Sequence, residues 1–314
     1  MEPAVNAKEN LLEAIRFGKP DHVPLGNEPV WHGFQFEGNM RMENWMDLWG
    51  VRWEVGMAGT VPFPKGNPLP SLDRLEDFRF PSPSELVFTE KMREDLRTVD
   101  RSQKLVCGSL TYLLFERAWA IMGMDNFLTS LITHPQEAHA FLHGVVHFAR
   151  GVFDRYLELG VDAIAFSEDL GTQRALMISP KMFREFILPE YEYCFENVLT
   201  EGKIINFHSC GCVDAVAADL ARIGVTILNP IQARANDLAK IKDETLGRMA
   251  LSGGIDTAVL ANGTPGRVRA EVVRVMGILK PGGGYICAPD QGIPGVPQEN
   301  YDALWQTARE VGGY

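Results

Sequence analysis

The sequence predicts an α/β protein whose parallel strands close into one barrel, and three observations carry that reading. Short apolar or β-branched runs alternate with longer amphipathic stretches, as in parallel α/β folds. Three consecutive strands begin near 203, 226 and 249, so a strand-plus-helix unit takes about 23 residues, near the minimum for a parallel crossover. Neither a G-x-G-x-x-G after an early strand nor a P-loop is present, so an open dinucleotide- or nucleotide-binding sheet has no anchor.

The elements follow in order. A short amphipathic helix near 7–17 precedes a first strand at 22–27. Further strands are expected at 104–109, 162–167, 203–208, 226–230, 248–252 and 284–289, with an eighth unplaced in the Gly- and Pro-rich segment 50–100. Helices are expected near 136–159, 180–201, 213–223, 264–278 and 297–310. Two of them open with an N-cap and a proline at the first helical position, Ser179-Pro180 and Thr264-Pro265. The segment 55–100, with six prolines from Pro62 to Pro83, reads as an excursion over the barrel mouth and not as a second domain. One domain, 1–314, is the expectation.

Composition narrows the function. The chain of 314 residues is 46% hydrophobic and 23% charged, which excludes disordered and collagen-like classes. Thirty basic against 41 acidic residues give −11, which speaks against a nucleic-acid binder. No run of about 18 apolar residues marks a membrane span, and the first ten residues lack the basic head and apolar run of a secretory leader. Five cysteines in a chain this long are no disulfide framework and fit a reducing cytoplasm.

Barrel chemistry gathers at the C-terminal ends of strands. Those ends carry Asn27-Glu28, Ser167-Glu168-Asp169, Asn206-Phe207-His208-Ser209-Cys210, Asn229-Pro230-Ile231-Gln232, Gly253-Gly254-Ile255-Asp256 and Pro289-Asp290-Gln291. Strand side chains alternate, so Asn206, His208 and Cys210 face one way. Imidazole and thiolate two residues apart can take two corners of a zinc tetrahedron, or they are a core histidine beside a buried thiol; both readings stay open from the triplet alone. Cys212 reads as a packed residue at a helix start. Glu168 and Asp169 are adjacent, so a regular strand turns only one of them into the pocket, where it would serve as oxygen ligand, acid/base or helix cap. His139, His143 and His147 share a helix face, but that helix carries the apolar pattern of a barrel exterior and no H-E-x-x-H glutamate.

These residues resemble a known family. Arg16-Phe17-Gly18-Lys19-Pro20-Asp21-His22-Val23-Pro24, Ile178-Ser179-Pro180-Lys181-Met182-Phe183-Arg184-Glu185-Phe186, the stretch from His208 to Gly211, Gly283-Gly284-Tyr285-Ile286-Cys287-Ala288-Pro289 and Pro297-Gln298-Glu299-Asn300 follow one another as in the uroporphyrinogen decarboxylase superfamily, which includes corrinoid-linked methyltransferases. The resemblance implies a single (β/α)8 TIM barrel, which accounts for the eighth strand. True uroporphyrinogen decarboxylases carry an arginine-rich stretch after the first strand to hold a polycarboxylate. Here Leu25 to Asn39 holds no Arg or Lys and instead Glu28 and Glu37, which argues against tetrapyrrole decarboxylation. The methyltransferase branch is similar in its His-x-Cys, where it binds zinc.

In that branch the third ligand is a cysteine in a Pro-x-Cys-Gly arrangement, and the matching residue here is Gln291. Cys287, four residues earlier, is the remaining thiol at that end, although an offset of four strand residues amounts to about 13 Å. Glu168 and Asp290 are the oxygen alternatives. The resemblance therefore implies a zinc set drawn from His208, Cys210, Cys287 and Glu168, with Glu168, Asp169, Asn206 and His208 as the catalytic group. It implies a methyltransferase that moves a methyl group between a small donor or acceptor and the cobalt of a separate corrinoid-binding protein. A homodimer is compatible with the chain. An aromatic cluster, Trp31, Phe34, Phe36, Trp45 and Trp49, leans the donor towards an aromatic methyl ether. Two other classes stay open: a metal-free decarboxylase or lyase of a small acidic substrate using Asp169 and His208, and a non-catalytic corrinoid- or pterin-binding module.

Overall fold

A computed structural model describes residues 6–57 and 60–314. Residues 1–5, the start of the stretch read above as lacking a leader, lie outside the described residues, as do 58–59 of the 55–100 segment.

The chain opens with α1 (Ala7–Ile15), capped by the Asn6 side chain, and then β1 (Trp31–Phe34). An antiparallel meander follows, β2 (Trp45–Met46), β3 (Arg52–Glu54) and β4 (Phe63–Lys65), and then α2 (Glu90–Thr98). The strand β5 (Leu105–Leu110) leads to α3 (Phe115–Met122), α4 (Met124–Thr133) and the long α5 (Pro135–Glu158). Next come β6 (Ala163–Ser167), α6 (Pro180–Met182), a π-turn at Phe183–Ile187 and α7 (Leu188–Thr200). Four strands remain, β7 (Ile204–His208), β8 (Ile227–Ile231), β9 (Ala250–Ile255) and β10 (Tyr285–Pro289). They are separated by α8 (Ala217–Arg222), α9 (Leu238–Thr245), and the pair α10 (Thr257–Asn262) and α11 (Pro265–Leu279), with α12 (Gln298–Gly312) last.

Seven strands form one parallel sheet in the order β1-β5-β6-β7-β8-β9-β10. Its edges approach one another through the segment before β1, where Gly26 N–H donates to the Cys287 carbonyl and Cys287 N–H to that of Pro24. The curled sheet is compatible with the barrel that the alternation predicts. Six of the expected strands are found within a few residues of their places, but the first is not. The segment 22–27 makes only isolated bridges, His22 to Gly313 and Leu25 to Cys287. A turn closed by Glu28 N–H on the Leu25 carbonyl, followed by Pro29, breaks the extended run, so β1 forms after it. The segment 50–100 supplies no strand to this sheet; β3 and β4 belong to the small antiparallel one.

Alternation sorts the side chains. Bulky Ile164, Phe166, Ile205 and Phe207 face the helical layer, where Phe166 and Phe207 pack edge to face at 4.9 Å. The opposite face carries Leu105, Ala163, Ile204, Ile227, Ala250 and Ile286, which pack on Leu11 and Ile15 of α1. That cluster closes the N-terminal end of the sheet as a floor. Everything above it on the inner face is smaller or polar.

Candidate functional site

At the C-terminal ends of β6 and β7 the structure brings together Asp169, His208 and Cys210. One ligand atom from each lies within 4.8 Å of the others. His208 Nε2 is 3.5 Å from Cys210 Sγ and 3.7 Å from Asp169 Oδ1. The edge of a zinc tetrahedron with bonds of 2.0–2.3 Å is roughly 3.5 Å, so these spacings already match one. Gln291 arrives from beyond β10 with its side-chain nitrogen 3.3 Å from the same sulfur, at the position the resemblance gives to a third thiolate.

The backbone that carries these groups is tightly tied. Asp169 Oδ1 accepts the Cys210 N–H at 2.7 Å, Ser209 Oγ accepts Leu170 N–H at 3.0 Å, and Gln232 Oε1 accepts Gly211 N–H at 3.0 Å. Gly211 has φ +83°, and a Cβ there would stand 2.2 Å from the Gly171 carbonyl oxygen. Only glycine permits that approach of the two loops.

Asn229 fixes the histidine. Its side-chain nitrogen donates to Asn206 Oδ1 and to the Phe207 carbonyl. Its Oδ1 therefore faces His208 Nδ1 as an acceptor at 3.2 Å, which makes Nδ1 the protonated nitrogen. The lone pair of Nε2 is left pointing at Cys210 and Asp169. Neighbouring amides set ligand tautomers in metal sites in this way.

Electrostatics favour a cation here. Burial, and then the Asp169 carboxylate, push the Cys210 thiol up to about 12. Such a thiol is no free nucleophile, and a bound metal ion would convert it to thiolate. Nearby, burial and the charges of Asp169 and Glu168 hold the Glu116 carboxyl well above the usual range, and its Oε2 has no partner among the described residues.

Two expected ligands stand elsewhere. Glu168 is fully buried and takes Leu114, Phe115 and Glu116 N–H together with the Tyr191 hydroxyl at 2.6 Å, so it caps α3 from a neighbouring strand. Of the adjacent pair it is Asp169 that joins the cluster. Cys287 is fully buried in the outer core with Tyr285, while Ile286 faces the floor. Burial pushes its thiol up to about 12. Asp290 accepts from Ala233 and Gly254 N–H, at 3.2 and 3.0 Å, and so is also occupied structurally. Asn206 lies one hydrogen bond from Asn229, behind His208. The sulfur of Cys212 lies against Asp214. On α5, His139 stacks on Phe186, while His143 and His147 bond Glu190 and Tyr193, an exterior arrangement as read.

Sequence reasoning allowed either Glu168 or Asp169 as an oxygen ligand and preferred Glu168, whereas Asp169 is the one beside His208 and Cys210. The signal was present. Asp169 shares its side with Ala163, Ala165 and Ser167, short residues that suit the inside of a curled sheet, whereas Glu168 shares its side with Ile164 and Phe166. Asn229 was visible only as a strand-end amide.

Comparison with known proteins agrees with the architecture. No curated protein matches by sequence. Among solved structures, a methyltransferase from Methanosarcina mazei superposes with a TM-score of 0.76 at 18% identity, over 97% of this chain and 98% of that one. A B12-independent methionine synthase from Shewanella sp. W3-18-1 gives a TM-score of 0.48 at 12% identity, over 70% of this chain and 66% of that one. The first likeness is one of fold. The sequence profile of uroporphyrinogen decarboxylase (URO-D) matches residues 92–311, well over half of the chain and all of the strands that carry the cluster. The chain thus belongs to the uroporphyrinogen decarboxylase family.

Proposed function

We propose that this protein is a zinc-assisted methyltransferase that passes a methyl group between a small methylated substrate and the cobalt of a corrinoid-binding partner. The observation that carries the reading is the tetrahedral spacing of Asp169, His208 and Cys210 at the strand ends. Zinc held by these three groups, with Gln291 beside the thiolate, would supply Lewis acidity to the heteroatom that bears the methyl group. The chain's own residues do the rest. Asn229 holds His208 in the tautomer that exposes Nε2. Asp169 accepts the Cys210 N–H and so fixes the loop that carries the sulfur. The floor of Leu11 and Ile15 closes the far end of the sheet against water.

The donor read from the sequence was an aromatic methyl ether. In the structure Phe34, Phe36 and Trp49 are buried and pack against Phe88, Tyr156 and Phe148, while Phe36, Trp45 and Trp49 line a pocket with Tyr112 and Arg117, and Trp31 lines a cavity with Asn206 and Asn229. A methyl ether, leaning to an aromatic one, remains the proposed donor. A reducing cytoplasm suits the five free cysteines. The segment 35–99, which sends Asp47 to pair with buried Arg117 next to the β5 end, is proposed as the flank against which the partner docks.

The test is direct. Protein purified without chelator is analysed for zinc, then mixed with a Co(I) corrinoid protein and candidate methyl ethers in single turnover. Zinc near one equivalent and methyl-cobalt formation are expected. A protein that binds no zinc when it is offered overturns the reading.

A further inference from the structure

Behind His208, on the inner face of the sheet, lies a cavity of about 190 Å³. It exists because the middle level of the inner face is built from short side chains, with Ala165, Ser252 and Ala288 where a filled barrel carries bulky branched ones. Its bottom is Leu11 and Ile227, and its top is the Asn206–Asn229 pair whose other contact is His208. The void is therefore continuous with the residues that hold the cluster, and its size suits a group of a few heavy atoms.

The wall has a definite electrical character. Glu28 lines it, with a side chain one-fifth exposed. Its two oxygens make only long contacts, 3.3 Å to His22 Nε2 and 3.2 Å from Leu25 N–H, so lone pairs remain for a further donor. Trp31 lines the same cavity, and no Lys or Arg does among the described residues. Asn206, Asn229 and Ser252 supply neutral polar groups, and the Asp169 carboxylate lies beyond them on the far side of His208. A carboxylate and an indole around a small, partly enclosed void are the partners that recognise a compact cation. An anion entering it would meet the Glu28 carboxylate, whose one ionisable partner within contact distance among the described residues is His22.

We propose that this cavity is the subsite for an ammonium group at the end of the substrate remote from its transferable methyl. Naming the bound molecule a substrate rests on the function proposed above; binding of a cation in the cavity does not. The two ideas therefore fail separately.

The experiment uses three probes of one shape: choline, its uncharged carbon analogue 3,3-dimethylbutan-1-ol, and the anionic 3,3-dimethylbutanoate. Each is titrated calorimetrically into the full chain, with and without added zinc. Choline is expected to bind at least about tenfold more tightly than the alcohol, with no binding of the carboxylate. Glu28→Gln keeps an acceptor for the Leu25 N–H but removes the charge, and it should abolish the preference. Ser252→Leu fills the void and should block choline without touching Glu28, so it tests the site even where the Glu28 variant fails to fold. Equal binding of choline and the alcohol overturns the proposal. So does the absence of choline binding, or its persistence in folded Ser252→Leu. Failure of zinc-dependent methyl transfer with choline binding intact would count against the proposed reaction alone.

Discussion

Replacing Glu168 by glutamine separates its structural role from a metal-binding one. The carboxylate is fully buried and accepts from three consecutive backbone N–H groups and the Tyr191 hydroxyl, at 2.5–3.2 Å. Glutamine is isosteric but turns one oxygen into an NH2 group that faces those N–H donors. The variant loses a hydrogen bond, worth about 0.5–1.5 kcal/mol, and strands at least one buried donor at about 1–3 kcal/mol. A net cost of about 3 kcal/mol is expected. With an unfolding entropy of about 2.1 cal/mol/K per residue over 314 residues, each kcal/mol moves Tm by about 1.5 °C, so a fall of about 5 °C follows.

That gap depends on pH. Burial pushes the Glu168 carboxyl up from 4.5 to about 7, against the donors that lower it, Tyr191 first. A carboxyl raised in the folded state binds its proton more tightly there than in the unfolded chain. Its contribution is fully present below about pH 4.5 and is lost as pH rises through about 7. Glutamine has no such slope, so the wild-type advantage should be larger at pH 5 than at pH 8. Asp290, also raised to about 7 by burial, slopes the same way in both proteins and cancels in the difference. The assay is differential scanning calorimetry of both proteins across that range, with zinc analysis of each. Zinc lost from folded Glu168→Gln, or a Tm change under about 1 °C at pH 5, would refute the capping role.

Other outcomes follow from the same geometry. His208→Ala and Cys210→Ala should each lose zinc and methyl transfer while circular dichroism stays native; full turnover in Cys210→Ala removes the basis for a metal. Cys287→Ser should keep full zinc and lose about 1–2 kcal/mol of stability, because a hydroxyl replaces a thiol packed in the outer core; zinc loss would show that β10 presents that residue inward in solution. Asn229→Leu should weaken zinc binding about 10–100-fold, and Asn229→Asp, which keeps the acceptor for His208 Nδ1, should recover most of it; equal affinities in the two variants would show that the amide does not set the tautomer. No coproporphyrinogen should form from uroporphyrinogen, because Leu25 to Asn39 offers no cation for a polycarboxylate; formation at enzymatic rates would contradict this.

The strand ladder was legible because β6 to β10 each combine an apolar run with a helix of ordinary length and turn signals between. The first strand was not, since Val23, Pro24 and Leu25 have strand composition, and only the Leu25–Glu28 turn reveals that pairing with β5 waits until Trp31. Within the site, alternation alone correctly paired His208 with Cys210. It also held the answer for β10, where Ile286 and Ala288 are the inner pair and Cys287 falls between them, but thiol chemistry outweighed side-chain direction in the sequence argument. Glu168 misled for a different reason. A carboxylate at a strand end has the same appearance whether it meets a metal or the N-terminus of α3, and its distant partners Leu114 to Glu116 and Tyr191 become neighbours only on folding.

The contact between Gly171 and Gly211 bears on how this protein can change. A methyl group at either position would run into the opposite backbone, 2.5 Å from Cys212 N at the first and 2.2 Å from Gly171 O at the second. The loops after β6 and β7 are further stitched by Cys212 N–H on the Thr172 carbonyl at 2.7 Å. Neither loop can lengthen or drift without carrying the other, and with them Asp169 and Cys210. Diversification by loop exchange, the ordinary route by which barrels acquire new substrates, is closed on this side of the mouth. New specificity has to be built elsewhere at the strand ends, as in the turn that follows Gln291.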